Sequence, residues 1–148
     1  MTKFAEKLVG KKIVVIGGTS GLVYHRSERI NDVLCTKTIA RIGYGAAEAF
    51  LDQGAHVVVI SSSADRVAQA VEKLKLIGPT VEGIAGDVRD EAAFVELLQK
   101  LAPVDHIVFT GVDIIIRGKL EDLNLDDAKH LFGVKFWGAV VVGKGNMI

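Results

Sequence analysis

Four short, nearly uniformly apolar runs alternate with longer amphipathic segments along this chain. The runs are rich in β-branched residues, which favour strands, and they cover residues 12–16, 56–61, 80–85 and 106–110. Strands that do not alternate polar with apolar residues are typical of a sheet that is covered on both faces. We therefore expect both faces of these four strands to be buried.

The segments around the strands have helical spacing of their apolar residues. They cover residues 46–53, 63–76, 91–101 and about 125–142. Ser63 is positioned to cap the second helix, and Gly54 follows the first helix as a C′ residue. Crossovers of this length join parallel strands and are right-handed, so helices lie on both faces of the sheet. The sequence thus predicts an α/β fold with a doubly wound parallel sheet of about four strands.

Length and charge exclude several classes of protein. The 148 residues suffice for one domain with a sizeable core, and no linker divides them. The formal net charge of zero does not indicate binding to nucleic acid or to an anionic membrane. No apolar run approaches the ~20 residues of a membrane-spanning helix, and a signal peptide is not recognisable, so we expect a cytoplasmic protein. Cys35 is the only cysteine and the four histidines are scattered, so no metal site is expected.

A glycine-rich turn follows the first predicted strand and is interrupted. Residues 17–21 read Gly-Gly-Thr-Ser-Gly, and about 20 residues later residues 42–45 read Ile-Gly-Tyr-Gly and run into the first helix. Without residues 22–41, the two halves form a strand, a G-x-x-x-G-x-G turn and a helix start. Such a turn lets a pyrophosphate approach the backbone and the free N–H groups of the helix. The candidate dinucleotide-binding residues here are Gly17, Thr19, Ser20, Gly21, Ile42 and Gly43.

Residues 22–41 are predicted to be an insert within this turn. Loop entropy grows slowly with length, so the fold is expected to survive the insert at a cost of a few kcal/mol. Dinucleotide affinity is expected to fall by orders of magnitude, because the insert leaves the turn where the pyrophosphate would sit. The favoured interpretation is a retained intervening segment or gene-model artefact, and the alternative is an adaptive lid.

Joined across the insert, the sequence resembles the short-chain dehydrogenase/reductase family. The resemblance rests on the joined turn, on Gly-Asp-Val-Arg-Asp at residues 86–90, and on Asp-His-Ile-Val at residues 105–108. It implies a Rossmann-like sheet, a nicotinamide dinucleotide cofactor, and a small-molecule carbonyl or alcohol as substrate. It also implies that Asp87 and Val88 contact the adenine ring, and that the last helix takes part in a homo-oligomer.

The end of the second predicted strand indicates which dinucleotide is bound. A carboxylate there accepts a hydrogen bond from the ribose of NAD, whereas the 2′-phosphate of NADP requires donors or a cation. The chain has Ser61, Ser62 and Ser63 at these positions, with Arg66 one helical turn further on. NADP is therefore favoured over NAD.

The chain departs from the family pattern where the catalytic residues are expected. Thr110 and Gly111 stand in place of an Asn-Asn-Ala-Gly run and are expected to line the cofactor, while Lys135 replaces an asparagine and is interpreted as a surface lysine. The family's Tyr-x-x-x-Lys pair is absent, because Tyr24 and Tyr44 are the only tyrosines and a glutamate follows each after four residues. No catalytic residue is assigned.

Two functions follow from this reading. Residues 1–148 are expected to form a single, incomplete dinucleotide-binding domain that stops before the catalytic region. The first function is the NADP(H)-binding portion of a short-chain dehydrogenase/reductase-type oxidoreductase. The second is a catalytically silent chain that binds a nucleotide or a partner, with its fourth strand as an uncovered edge.

Overall fold

The computed structural model describes residues 8–17, 42–112, 119–122 and 124–146. The first part contains β1 (Lys12–Ile16), α1 (Ile42–Asp52), β2 (His56–Ser61), α2 (Ala64–Leu74), β3 (Val81–Ala85), α3 (Glu91–Leu101) and β4 (His106–Phe109). A 3-10 turn (Leu120–Asp122) then precedes α4 (Leu125–Phe132), a π-helical turn (Gly133–Trp137) and α5 (Gly138–Asn146). The predicted alternation of strands and helices is confirmed, and the predicted last helix consists of α4, the π-helical turn and α5.

The four strands form one parallel sheet in the order β3-β2-β1-β4. Val14 in the middle of β1 lies opposite Val58 of β2 and Ile107 of β4. From β1 the chain progresses outwards through β2 to β3, and it then returns to the other side of β1 to form β4. The direction of winding therefore reverses between β1 and β4.

Helices cover both faces of the sheet, as a doubly wound fold requires. Alternate strand residues point to opposite faces because the side-chain period of a strand is two. One core contains Val14, Ile16, Val58 and Ile60 with Phe94, Leu98 and Leu101 of α3 and Val141 and Val142 of α5. The other contains Ile13, Val15, Val57 and Val59 with Ala47 and Leu51 of α1 and Leu74 of α2. The predicted fold class is thus confirmed.

The expectation that all four strands are covered on both faces is wrong for the outer two. The four C-terminal residues of β1 and the five of β2 are buried, whereas Glu82 on β3 and His106 on β4 are exposed. The reason is position: β3 and β4 are the edges of the described sheet and each has one neighbouring strand. Apolar composition alone does not reveal which strands lie in the centre.

Two predicted residues at helix ends are confirmed: Gly54 at the end of α1 and Ser63 at the start of α2. Gly54 has φ +77°, and its N–H donates to the Leu51 carbonyl at 3.0 Å. The N–H of Ala55 donates to the Phe50 carbonyl at 3.0 Å, which completes a Schellman ending for α1. At the start of α2, the Ser63 hydroxyl oxygen accepts from the Arg66 N–H at 3.4 Å.

Candidate functional site

The carboxyl edge of the sheet, where winding reverses between β1 and β4, is the candidate site. In open α/β sheets, ligands bind in the crevice outside the carboxyl ends of the strands at such a point. Each strand here delivers a predicted site residue to that edge: Gly17 after β1, Ser61 in β2, Asp87 after β3 and Thr110 after β4.

Gly17 turns the backbone sharply at the end of β1. Its φ is +88°, and its N–H donates to the Ile60 carbonyl at 2.8 Å. A Cβ at this position would lie 2.7 Å from the Gly111 nitrogen and 2.9 Å from its Cα. Only glycine fits this space, so the backbone after β1 and the backbone after β4 are in direct contact.

Thr110 closes the same region from the side of β4. Its N–H donates to the Ile16 carbonyl at 2.8 Å, and its hydroxyl donates to the same oxygen at 3.1 Å. Since the hydroxyl proton is used in this way, the Thr110 oxygen remains an acceptor towards the edge. The structure therefore brings Gly17, Thr110 and Gly111 together at the carboxyl edge of the sheet.

The end of β2 presents hydroxyls and one cation. Ser61 is buried, and its carbonyl accepts from the Gly86 N–H at 2.9 Å. Ser62 is exposed, Ser63 is half-buried as the cap of α2, and Arg66 is exposed one turn into that helix. Asp65, which no sequence pattern had indicated as a site residue, adds an exposed carboxylate in the first turn of α2.

The loop after β3 carries an ion pair that no sequence pattern indicates. The Arg89 Nη2 donates to Asp87 Oδ2 at 2.7 Å, and the Arg89 Nε donates to Oδ1 at 3.0 Å. The backbone N–H of Arg89 also donates to Oδ1 at 3.0 Å. These hydrogen bonds from Arg89 hold the pKa of Asp87 below its ordinary value, against the opposing effect of partial burial. Asp87 therefore stays ionised as an acceptor.

Val88 points away from the neighbouring Asp87 and into the core between α3 and α5. It is 8% exposed, and a Cβ at Gly138 would lie 3.2 Å from each of its methyl groups. A buried valine beside a half-exposed aspartate fixes the direction in which the loop presents its carboxylate. Little of the Val88 side chain is thus accessible to a ligand.

The first helix begins at Ile42, which is 80% exposed, and Gly43 next to it is buried. Thr19, Ser20, Gly21 and the predicted insert at residues 22–41 lie outside the described residues. Of the two halves of the glycine-rich turn, the structure therefore describes only Gly17 from the first half and the start of α1 from the second.

The π-helical turn lies against the end of β4. Its Val134 is buried, and a Cβ at Gly111 would lie 3.4 Å from a Val134 methyl group. Trp137 donates from Nε1 to Glu91 Oε1 at 2.6 Å, which ties this turn to the start of α3. Lys135 is exposed, in agreement with its interpretation as a surface lysine. Single π-helical turns are frequent at functional sites, and no sequence signal predicted this one.

The described part of the chain offers neither a metal centre nor a membrane anchor of helical type. No group of three or more His, Cys, Asp or Glu side chains in it could hold a metal ion. Likewise, none of the helices in the described ranges is long and apolar enough to cross a bilayer.

Sequence comparison relates the chain to a family of oxidoreductases. Residues 31–146 match the family model for short chain dehydrogenase. The chain is 34% identical over 155 aligned positions to the short-chain dehydrogenase/reductase fsr5 of Gibberella fujikuroi, covering 96% of this chain and 51% of that protein. It is 27% identical to the short-chain dehydrogenase/reductase ucsE of an Acremonium species, covering 97% and 52%. The chain thus spans about half the length of the curated relatives it matches.

Solved structures share the fold at lower identity. The MalC Reductase/Diels-Alderase of Malbranchea aurantiaca has a TM-score of 0.71 at 23% identity, covering 97% of this chain and 52% of that one. RhlG of Pseudomonas aeruginosa, in an NADP active-site complex, has a TM-score of 0.75 at 20% identity, covering 99% and 50%. L-sorbose reductase of Gluconobacter frateurii, complexed with NADPH and L-sorbose, has a TM-score of 0.70 at 22% identity, covering 96% and 48%. These similarities establish the doubly wound fold.

Proposed function

Because this chain belongs to the short-chain dehydrogenase family, we propose that it is the NADP(H)-binding portion of an oxidoreductase that acts on a small-molecule carbonyl or alcohol. The observation that carries the proposal is the contact between Gly17 and Gly111 at the point where the winding of the sheet reverses. Here the backbones that follow β1 and β4 approach each other with no side chain between them, and in open α/β sheets dinucleotides bind outside the carboxyl ends of the strands at such a point.

The proposed binding residues follow the carboxyl edge. The pyrophosphate is assigned to Gly17, to the start of α1 at Ile42 and Gly43, and to Thr19, Ser20 and Gly21 between them. The helix start supplies N–H groups and a positive dipole end, both of which favour a phosphate. Thr110 and Gly111 are assigned to the same site from β4, and the Asp87 side chain is assigned to the adenine end together with the backbone of Val88, whose side chain is buried.

The preference for NADP over NAD is proposed from the end of β2. Ser62 and Arg66 are exposed there and can donate to a 2′-phosphate, and residues 61–63 include no carboxylate. Asp65 opposes this preference, because its charge repels a phosphate placed near α2. We propose that the arginine and the hydroxyl groups outweigh the aspartate. The structural neighbours described as NADP or NADPH complexes support this direction.

The dinucleotide, when bound, supplies or accepts the hydride. The residues of this chain bind it, orient it and exclude water from the floor of the crevice. We further propose a cytoplasmic location, no nucleic-acid partner, and a homo-oligomer that uses the last helix. The exposed apolar side chains on that helix support the oligomer; they are Leu125, Phe132, Phe136, Trp137 and Val140.

A second candidate function is a catalytically silent chain that binds a nucleotide or a protein partner. It is favoured by one observation: Tyr24 and Tyr44 are the only tyrosines in these 148 residues, and each is followed four residues later by glutamate rather than lysine. The proton donor of the family's reaction, a tyrosine paired with lysine, is therefore missing from this sequence.

Binding and turnover measurements on the 148-residue chain distinguish the two functions. Calorimetric titration with NADPH and NADH is expected to give tighter binding of NADPH. Arg66→Ala is expected to weaken NADPH binding by about tenfold, the value of one charge-assisted contact, and to leave NADH binding unchanged. Lys73→Ala, on the same helix, is the matched control and should change neither affinity.

Carbonyl-dependent oxidation of NADPH then separates the candidates. Turnover by the 148-residue chain would overturn the silent chain. Binding without turnover for a panel of aldehydes and ketones would support the silent chain as the function of these 148 residues, and it would also be expected of the NADP(H)-binding portion of a longer oxidoreductase. If neither dinucleotide binds, the NADP(H)-binding proposal is wrong.

A further inference from the structure

The π-helical turn at Gly133–Trp137 packs against two segments at the carboxyl edge of the sheet. The N–H of Gly138 donates to the Gly133 carbonyl, which is the i→i+5 hydrogen bond of a π-helix. A Cβ at Gly138 would lie 3.2 Å from Phe109 Cζ, at the end of β4, and 3.2 Å from both methyl groups of Val88, in the loop after β3. The turn therefore touches the ends of β4 and of the loop after β3 at once.

The same turn supports the backbone of the candidate site. Val134 is buried, and a Cβ at Gly111 would lie 3.4 Å from one of its methyl groups. On its other side, the Gly111 nitrogen would lie 2.7 Å from a Cβ at Gly17. Because Gly111 is enclosed in this way, a displacement of Val134 removes the support behind one of the assigned dinucleotide-binding residues.

One polar contact ties the turn to α3. The Trp137 Nε1–H donates to Glu91 Oε1 at 2.6 Å. Glu91 is the first residue of α3, and the neighbouring Asp90 side chain caps that helix, so the Glu91 carboxylate is not required as the cap. Both partners are exposed, Trp137 by 51%. The hydrogen bond, rather than burial, therefore fixes the position of the indole.

A π-helical turn has an α-helical alternative. In the two forms the N–H groups bond to carbonyls five or four residues back, and the π-helical form is the rarer. A change between them shifts the helix by one residue and rotates its two sides relative to each other by about 100°. Since Val134 and Trp137 both belong to the turn, we expect this rotation to displace at least one of their contacts.

We propose that Glu91 is a positioning residue: by accepting the hydrogen bond from Trp137, it holds the turn in its π-helical form and keeps Val134 against Gly111 in the dinucleotide site. This inference rests on the proposed NADP(H)-binding function and adds a residue outside the assigned binding residues. Glu91 acts through Trp137 and touches no ligand. Loss of the hydrogen bond lowers the population of the binding-competent form, and the apparent affinity falls by the same factor.

The first measurement uses nuclear magnetic resonance and needs no ligand. Trp137 is the only tryptophan, so the chain gives one indole N–H resonance, and the amide resonance of Gly111 reports on its support by Val134. Glu91→Ala is expected to shift both resonances, whereas Glu91→Gln keeps an oxygen acceptor and should leave that of Gly111 in place. The matched control is Glu96→Ala, which removes another exposed carboxylate of α3 and should move neither. An unchanged Gly111 resonance in Glu91→Ala overturns the inference.

The second measurement is calorimetric titration of the same variants with NADPH. Glu91→Ala is expected to weaken binding about fivefold, as a fall of the competent population to about one fifth would do, and Glu91→Gln and Glu96→Ala by less than about twofold. Trp137→Phe keeps an aromatic ring without the N–H and should match Glu91→Ala. Combining these two changes should cause no further loss, because both remove the same interaction.

Two results of the titration would overturn the inference. Equal losses in Glu91→Ala and Glu91→Gln would show that the charge matters rather than the hydrogen bond. Additive losses in the variant that combines Glu91→Ala with Trp137→Phe would show that the two residues act separately. If the unaltered chain does not bind NADPH, the proposed function fails, and the Gly111 resonance still decides whether Glu91 holds the turn.

Discussion

At the scale of single residues, Gly17 experiences two constraints that can be separated by experiment. It has a positive φ, and the backbone of Gly111 occupies the space where a Cβ would be. Gly10 shares the first constraint with φ +73° but has nothing within 4 Å of its Cβ position. A comparison of substitutions at Gly17 and Gly10 therefore isolates the steric cost of the contact between the turns that follow β1 and β4.

We predict that Gly17→Ala lowers the free energy of unfolding by about 3 kcal/mol or more, combining left-handed strain with overpacking. Gly10→Ala should cost about 1–2 kcal/mol, the strain alone. Urea denaturation followed by circular dichroism measures both values. Equal losses for the two variants would show that the close backbone approach at Gly17 contributes nothing.

Asp105 gives a pH-dependent contribution at the opposite, amino edge of the sheet. The Lys11 Nζ donates to Asp105 Oδ1 at 2.7 Å, and the Lys12 backbone N–H donates to Oδ2 at 2.9 Å. The hydrogen bond from Lys11, aided by that from Lys12, lowers the pKa of Asp105 below its ordinary value near 3.8. This aspartate joins the starts of β1 and β4, away from the candidate site.

The sign of the pH effect follows from the lowered pKa. The unfolded chain binds a proton at Asp105 more readily than the folded chain, so the stabilisation is present above pH 3.8 and is lost as the pH falls through the lower folded pKa. We predict that Asp105→Asn lowers the melting temperature at pH 7 and that this difference shrinks below pH 4. Lys11→Met should behave similarly, because it removes the main cause. A difference that is constant from pH 7 to pH 3 would contradict the prediction.

At the scale of secondary-structure elements, α5 approaches α3 closely because of one glycine. A Cβ at Gly145 would lie 2.8 Å from Leu98 Cδ1 and 3.3 Å from Leu98 Cβ, whereas nothing lies within 4 Å of the Cβ position at Gly143. Both glycines belong to the same helix, so they differ in their surroundings more than in their backbone.

We predict opposite signs for the two alanine substitutions. Gly143→Ala should raise the free energy of unfolding by about 0.5–1 kcal/mol, because alanine loses less backbone entropy in a helix. Gly145→Ala should lower it by about 1 kcal/mol or more, because the added methyl group overpacks against Leu98. Denaturation of Gly145→Ala in a Leu98→Ala background supplies the check. The penalty should shrink there, because Leu98→Ala removes the Cδ1 contact at 2.8 Å and keeps only the Cβ contact at 3.3 Å. A penalty of undiminished size would show that overpacking against the Leu98 Cδ1 atom is not its cause.

The sequence predicted the elements well because their signals are local. The apolar run of β2, the cap at Ser63 and the ending at Gly54 each depend on residues within one turn or strand. The exposure of β3 depends on strand order, which a local pattern does not contain. The π-helical turn at Gly133–Trp137 could not be predicted, because its residues show the same sequence spacing as those of an ordinary α-helix. The ion pair between Arg89 and Asp87 depends on the backbone conformation of the loop after β3. The periodicity of the sequence carries no information about that conformation.

At the scale of the whole molecule, three of the predicted site residues meet because of the strand order. The order β3-β2-β1-β4 places Gly17 beside Thr110 and Gly111, which are more than 90 residues away along the chain. The predicted parallel sheet places the carboxyl ends of all its strands at one edge, whereas the pairing of β4 with β1 comes from the structure. Selection of NADP by Ser62 and Arg66, and the consequence of the predicted insert, remain predictions that experiments on the chain can test.

Removal of residues 22–41 tests how the interrupted turn affects the whole domain. In the shortened chain Gly21 is followed directly by Ile42, which joins the two glycine-rich segments into one G-x-x-x-G-x-G sequence. We predict that NADPH affinity rises by at least about tenfold, since the start of α1 is then held next to the turn that cradles the pyrophosphate. The measurement is calorimetric titration of the full and shortened chains.

The matched control replaces residues 22–41 with a Gly-Ser segment of equal length. Because this segment keeps the interruption but changes its sequence, weak binding should persist if the separation of the two half-turns is the cause. An adaptive lid makes the reverse prediction: NADPH affinity falls in the shortened chain and in the Gly-Ser chain alike, because lid contacts depend on the side chains of the segment. The direction of the change in the shortened chain therefore decides between an intervening segment and a lid, independently of whether the chain catalyses hydride transfer.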